Sequence, residues 1–175
     1  MTRALAVLAV LLNIVAMCVW ILVNPPAAYE RRADREIRAA HEAWRKSGPE
    51  RAYAMYQRIA AGFSRSSFAA EARFYAARTA FLGLGRFAEA EQGLAAFLAT
   101  KPANEAQRVE AEKYLGLIRS RGDLPEDKRD DALWEYAQAL MENSNGRHRE
   151  AAARLEKLTT AYKTTALGQA AAVQL

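Results

Sequence analysis

Three stretches of this chain place apolar residues at one spacing: Ala52, Tyr56, Ile59 and Phe63; Ala90, Leu94 and Phe97; Ala151, Leu155, Leu158 and Tyr162. Steps of four, three and four residues keep these side chains on one face of a helix. Each set opens on an alanine, small enough to let a neighbouring helix approach at that level. The bulkier residues one and two turns later fill the gap as the pair splays. A helix with such a stripe needs partners to bury it. The remaining composition agrees: the 51% hydrophobic content is dominated by alanine, with only five prolines and nine glycines. No stretch alternates β-branched and polar residues. The chain reads as all-α.

Punctuation divides it into helices over 4–24, 28–47, 49–64, 67–84, 86–100, 104–121, 126–143, 147–163 and a short 165–174. Gly48-Pro49 opens one helix, Pro102 ends another and Asn104 caps the next. Gly122-Asp123-Leu124-Pro125 breaks the chain again.

From Phe74 to Pro102 the residues read F-x6-F-x3-G-x-F-x2-A-x3-L-x2-F-x4-P. This resembles the tetratricopeptide repeat, a helix–turn–helix unit of about 34 residues. Phe74 and Phe81 take the large positions of the first helix and Gly85 the turn. Phe87, Ala90, Leu94 and Phe97 line the second helix, and Pro102 stops it. Ala77 and Arg78 replace the family's usual Leu-Gly pair, which returns as Leu115-Gly116, followed by Gly122 near the turn position. Upstream, Ile37, Trp44, Gly48, Ala52, Tyr56 and Ile59 follow the same scheme with one residue fewer in the turn. The resemblance covers about residues 35–165. Its alanine anchors lie 38 and then 61 residues apart, where a regular array gives about 34 and 68. The segment Asp127–Asn143, with Trp134 and Tyr136, has two readings. Its place in the chain makes it the second helix of a third repeat. Its turn, Asn143-Ser144-Asn145-Gly146 followed by Ala151, makes it the first helix of a fourth.

The resemblance implies an α-solenoid of three to four hairpins whose first helices line a partner groove. Carried over position by position, the groove residues are Arg35, Arg38 and Arg45, then Tyr75, Thr79 and Leu82, then Lys113 and Leu117. A basic approach with an aromatic floor suits an acidic or amphipathic segment. The same arginines also suit a solvated face or contact with anionic lipid head groups.

Residues 4–23, ALAVLAVLLNIVAMCVWILV, carry no charge. Twenty residues match the roughly 30 Å hydrocarbon core, so an N-terminal transmembrane helix is expected. A cleaved signal peptide is the alternative, although no convincing Ala-x-Ala follows, and a lipoprotein would have to use Cys18. The expected organisation is an anchor over 1–24, a short linker and helix start over 25–34, and a tetratricopeptide-like domain over 35–175. Ala6, Ala9, Asn13, Ala16 and Trp20 form one stripe, a candidate contact with a second membrane helix. Arg31, Arg32, Arg35 and Arg38 favour a cytoplasmic domain by the positive-inside rule. The short basic N-terminus favours a periplasmic one, and that placement, on a single-pass inner-membrane protein, is preferred.

The net charge of +5 comes from 25 basic and 20 acidic residues, well mixed. A nucleic-acid binder would show a denser basic stripe. His41 and His148 stand apart among charges and read as surface residues. No spacing suits a metal, and no nucleophile–base pair is visible. Gly83 and Gly85 read as a repeat turn; a phosphate loop needs a preceding strand. Expected are no enzyme activity, no cofactor and no metal. By resemblance to bacterial envelope proteins of this plan, the partners are other proteins in a membrane complex, with lipid at the anchor. The alternative is an accessory subunit built permanently into a larger membrane complex. The uncharged end TALGQAAAVQL, residues 165–175, is read as docking in the last groove or as covered by a partner.

Overall fold

A computed structural model describes residues 11–20 and 26–175, and among them the only regular structure is helical. The elements are α1 (residues 11–20), α2 (Pro26–Ser47), α3 (Pro49–Gly62), α4 (Phe68–Leu84), α5 (Phe87–Ala99), α6 (Glu105–Arg119), α7 (Arg129–Ser144), α8 (His148–Ala161) and α9 (Ala166–Gln174). Two 3₁₀ turns, Ser120–Asp123 and Glu126–Lys128, join α6 to α7.

The N-terminal expectation is corrected. Among the described residues no helix is long and apolar enough to cross a membrane. Residues 11–20 are helical and exposed throughout, and the rest of the expected anchor lies outside the described residues. The transmembrane helix is therefore not supported, nor is the single-pass inner-membrane placement that rested on it. In the small-residue stripe, Ala6 and Ala9 lie outside the described residues, as does Pro25. Asn13, Ala16 and Trp20 are exposed on α1. The segment read as linker and helix start belongs from Pro26 onward to α2, which buries Ala33 and Ile37.

Three hairpins build the rest: α2 with α3, α4 with α5, and α7 with α8. Each reverses at a glycine in the left-handed region, with φ of 88° at Gly48, 63° at Gly85 and 78° at Gly146, where a side chain would strain the backbone. The first reversal takes one residue because Pro49 starts α3 without needing a hydrogen-bonded N–H. Gly85-Arg86 and Gly146-Arg147 open the other two in the same way, each followed three and four residues later by Glu-Ala. The anchors Ala52, Ala90 and Ala151 are all buried. So are Tyr56 and Ile59, Leu94 and Phe97, and Leu155 and Leu158 behind them.

Helix α4 is the centre. It touches α2, α3, α5, α6 and α7, and buries residues all round its circumference, from Ala72, Phe74 and Ala76 to Ala80, Phe81 and Leu82. Helix α6 lies against α5 and α4 but has no return helix of its own. The break at Gly122–Pro125 re-aims the chain, with Arg129 Nε donating to Leu124 O at 3.1 Å. Helix α7 then packs across α4 and pairs with α8. Asp127–Asn143 is thus the first helix of a hairpin, as its turn indicated. Helix α9 closes against α8 and the first 3₁₀ turn. Its start is capped by Thr165 Oγ1, which accepts from Gly168 N at 3.2 Å. A Cβ at Gly168 would stand 1.9 Å from Tyr162 O, so only glycine lets α9 fold back there.

Candidate functional site

The first helices α2, α4 and α6 share one face, and its centre is aromatic. Tyr75 stacks on Tyr56, with centroids 5.5 Å apart, and takes the edge of His41 at 4.5 Å. The Tyr56 hydroxyl is hydrogen-bonded to His41 Nδ1 at 2.6 Å. Beside them Arg78 Nε donates to Glu110 Oε1 at 2.8 Å, and the Tyr114 hydroxyl donates to the same oxygen at 2.7 Å. Thus α2 supplies His41, α4 supplies Tyr75 and Arg78, and α6 supplies Glu110 and Tyr114.

The charges here are tuned by burial. Burial lowers the His41 pKa, and the nearby Arg78 and Arg45 cations lower it further. The ring is therefore held neutral, which suits its bond to Tyr56. Burial raises the Glu71 carboxyl, and Asp34 adds to the effect. Burial opposes the Arg78 charge, but Glu110 and Tyr114 more than offset it, leaving the guanidinium above its ordinary range. Burial also raises Tyr75, with Glu71 adding to it.

The groove residues expected from the sequence separate into two groups. Arg35, Arg38 and Arg45 are exposed on α2. Arg38 is held by Asp34 at 3.1 Å. Tyr75 is half-buried at the centre of the strip. Thr79, Leu82 and Leu117 are instead buried, at 2%, 2% and 6% exposure, and Thr79 Oγ1 donates to Tyr75 O at 2.6 Å. Lys113 lies over the Tyr136 ring of α7, with Nζ 6.0 Å from its centroid. The part of the inner face nearest the turns is therefore taken by α7 of the same chain. What remains open is the stretch from Arg38 through His41, Tyr75 and Arg78 to Glu110.

Sequence reasoning read His41 as a surface residue, whereas it is half-buried between two tyrosines. Its companion His148 is exposed, with Nδ1 2.6 Å from Asn143 Oδ1. Arg78 and Glu110 were also missed. A signal existed for Arg78: it stands where the family's glycine would, and a guanidinium placed there needs a counter-charge. Among the described residues no group of His, Cys, Asp and Glu could hold a metal ion.

Comparison with protein-family models, curated proteins and solved structures finds no match.

Proposed function

We propose that this chain is a tetratricopeptide-like scaffold that holds another protein against the inner face of α2, α4 and α6. The observation that carries this reading is the strip Arg38–His41–Tyr75–Arg78–Glu110. It is aromatic at its centre, polar around it, partly open to solvent and mounted on the most enclosed helix of the fold. A rigid aromatic with charged neighbours is the composition of an interface hot spot. Its charged and polar groups are held in place by neighbours, Arg38 by Asp34, Arg78 by Glu110 and His41 by Tyr56, an arrangement suited to recognising a segment of polypeptide.

A second reading, a permanent subunit of a larger assembly, draws on the outer end of α9. There Val173 and Leu175 are 82% and 59% exposed.

Co-purification of the tagged full chain tests the first reading. Arg38→Glu combined with Tyr75→Ala is expected to lose a partner that the unchanged chain retains, with the helical circular-dichroism signal preserved. Exposed substitutions such as Arg38→Glu typically shift stability by under about 0.5 kcal/mol. An identical set of co-purifying proteins would overturn the reading.

A further inference from the structure

A cleft of about 500 Å³ opens where the α2–α3 turn meets α7. Its apolar lining comes from Trp44 and Pro49 on one side, Leu82 beneath and Met141 opposite. Gly83 sets its width. A Cβ there would lie 2.6 Å from Pro49 Cβ and 2.8 Å from the Trp44 ring, so only glycine lets the turn close on α4. Gln138, Asn145 and two exposed arginines, Arg45 and Arg147, complete the lining.

No acidic residue lines this cleft. Three acids close to the lining in sequence are engaged elsewhere: Glu42 with Lys46 at 2.5 Å, Glu50 with Arg86 at 2.7 Å, and Glu142 with Arg154 at 3.0 Å. Neither Arg45 nor Arg147 has an ion-pair partner among the described residues. The contrast with the larger cleft beside the α4–α5 turn is informative. That cleft, about 680 Å³, sets Arg86, Arg121 and Arg129 against five acids and so carries an excess of negative charge. The smaller cleft keeps a positive rim over an apolar floor.

We infer that this cleft binds a segment of a partner protein in which one bulky apolar side chain is flanked by carboxylates. The apolar side chain enters between Trp44 and Met141, and the carboxylates meet Arg45 and Arg147. Charge complementarity argues for this occupant over a second copy of the chain. The chain's own exposed acids at Glu126, Asp127, Asp130 and Asp131 lie next to no exposed large apolar residue in sequence, and the acids beside the exposed Val109 are held by this chain's own arginines, Glu110 by Arg78 and Glu112 by Arg108. The inference rests on the scaffold reading, but uses a site away from Arg38 and Tyr75.

The test is fluorescence anisotropy with the full chain and a labelled peptide, Glu-Asp-Leu-Phe-Asp-Glu. Two control peptides replace either the acids by their amides or Leu-Phe by Ala-Ala. The expected result is saturable binding that weakens with added salt. Each control peptide, and the Arg45→Glu/Arg147→Glu double variant, should weaken it at least about tenfold. Arg58→Glu/Arg65→Glu, a remote reversal of the same net charge, should leave it within about twofold of the unchanged chain. Absence of saturable binding at millimolar peptide overturns the inference, as does equal loss in the cleft and remote variants. So does equal binding of the acidic and amide peptides. Mass-dependent self-association lost in the cleft variant would assign the cleft to a second copy instead, and also overturns it. If the cleft variant binds the peptide normally while Arg38→Glu/Tyr75→Ala still loses a partner, the cleft assignment fails and the scaffold reading stands.

Discussion

His41 shows what a single residue contributes to this face. Its ring sits against Tyr75 and bonds Tyr56, and both burial and two arginines disfavour its proton. A base whose folded pKa is depressed contributes stability that is fully present above its unfolded value, near 6.5, and is lost as pH falls through the folded value. The charged groups acting on it are Arg78 on α4 and Arg45 on its own helix. Glu71, whose folded pKa is raised, works in the opposite sense. Its contribution is complete below its unfolded value and is lost as pH rises through the folded one. The His41 contribution should therefore lower the melting temperature as pH drops from 7 toward 5, against the opposite pull of Glu71. His41→Gln, which can still accept from Tyr56, should flatten that fall. Parallel pH profiles for the two proteins would show that His41 is not held neutral. At the same scale, the buried Tyr136 hydroxyl finds no hydrogen-bond partner among the described residues, and the packing of α7 on α4 has to outweigh that cost.

At the scale of the helix, the alanine anchors decide how closely the hairpin arms approach. Ala90 is fully buried on α5, while Ala88 two residues earlier is exposed. Ala90→Leu should cost about 1–3 kcal/mol by overpacking. Ala88→Leu should change the melting temperature little, and equal losses would contradict the packing described here. The same spacing made the helices legible. Alanine followed by bulky residues at four- and three-residue steps marked α3, α5 and α8, and glycine, proline and asparagine punctuation placed every helix from α2 to α9 to within about three residues of its observed ends, because both signals are written locally. The fate of α7 was only half legible. Its asparagine- and glycine-rich turn marked it as a first helix, but its docking on α4 depends on two 3₁₀ turns with no strong pattern. The membrane anchor was read from hydropathy, and the ten described residues of that run fall short of a span. Of the inner strip, Arg38 and Tyr75 were legible, whereas Arg45 lines the cleft at the turn end. His41 and Glu110 were not, because a half-buried histidine and a counter-charge 32 residues from Arg78 leave no mark in local spacing.

For the whole molecule, the consequence of α7 is a shortened groove. Three hairpins and an unpaired α6 surround α4, and α7 covers Thr79 and Leu82, which would otherwise face a partner. On the scaffold reading proposed above, a partner would be left with the strip from Arg38 to Glu110 and with the cleft over Leu82 at the turn end. The proposed division places recognition on the inner face and leaves the outer surfaces of α3 and α5 as support. Site-specific photo-crosslinking tests that claim most directly, with a benzophenone side chain placed at Arg38 on the inner face or at Ala88 on the outer one. Both positions are exposed. A discrete protein adduct from position 38 that is absent from position 88, and that disappears with Tyr75→Ala, is the predicted result. The same adducts from both positions, or an adduct from position 88 alone, would contradict it.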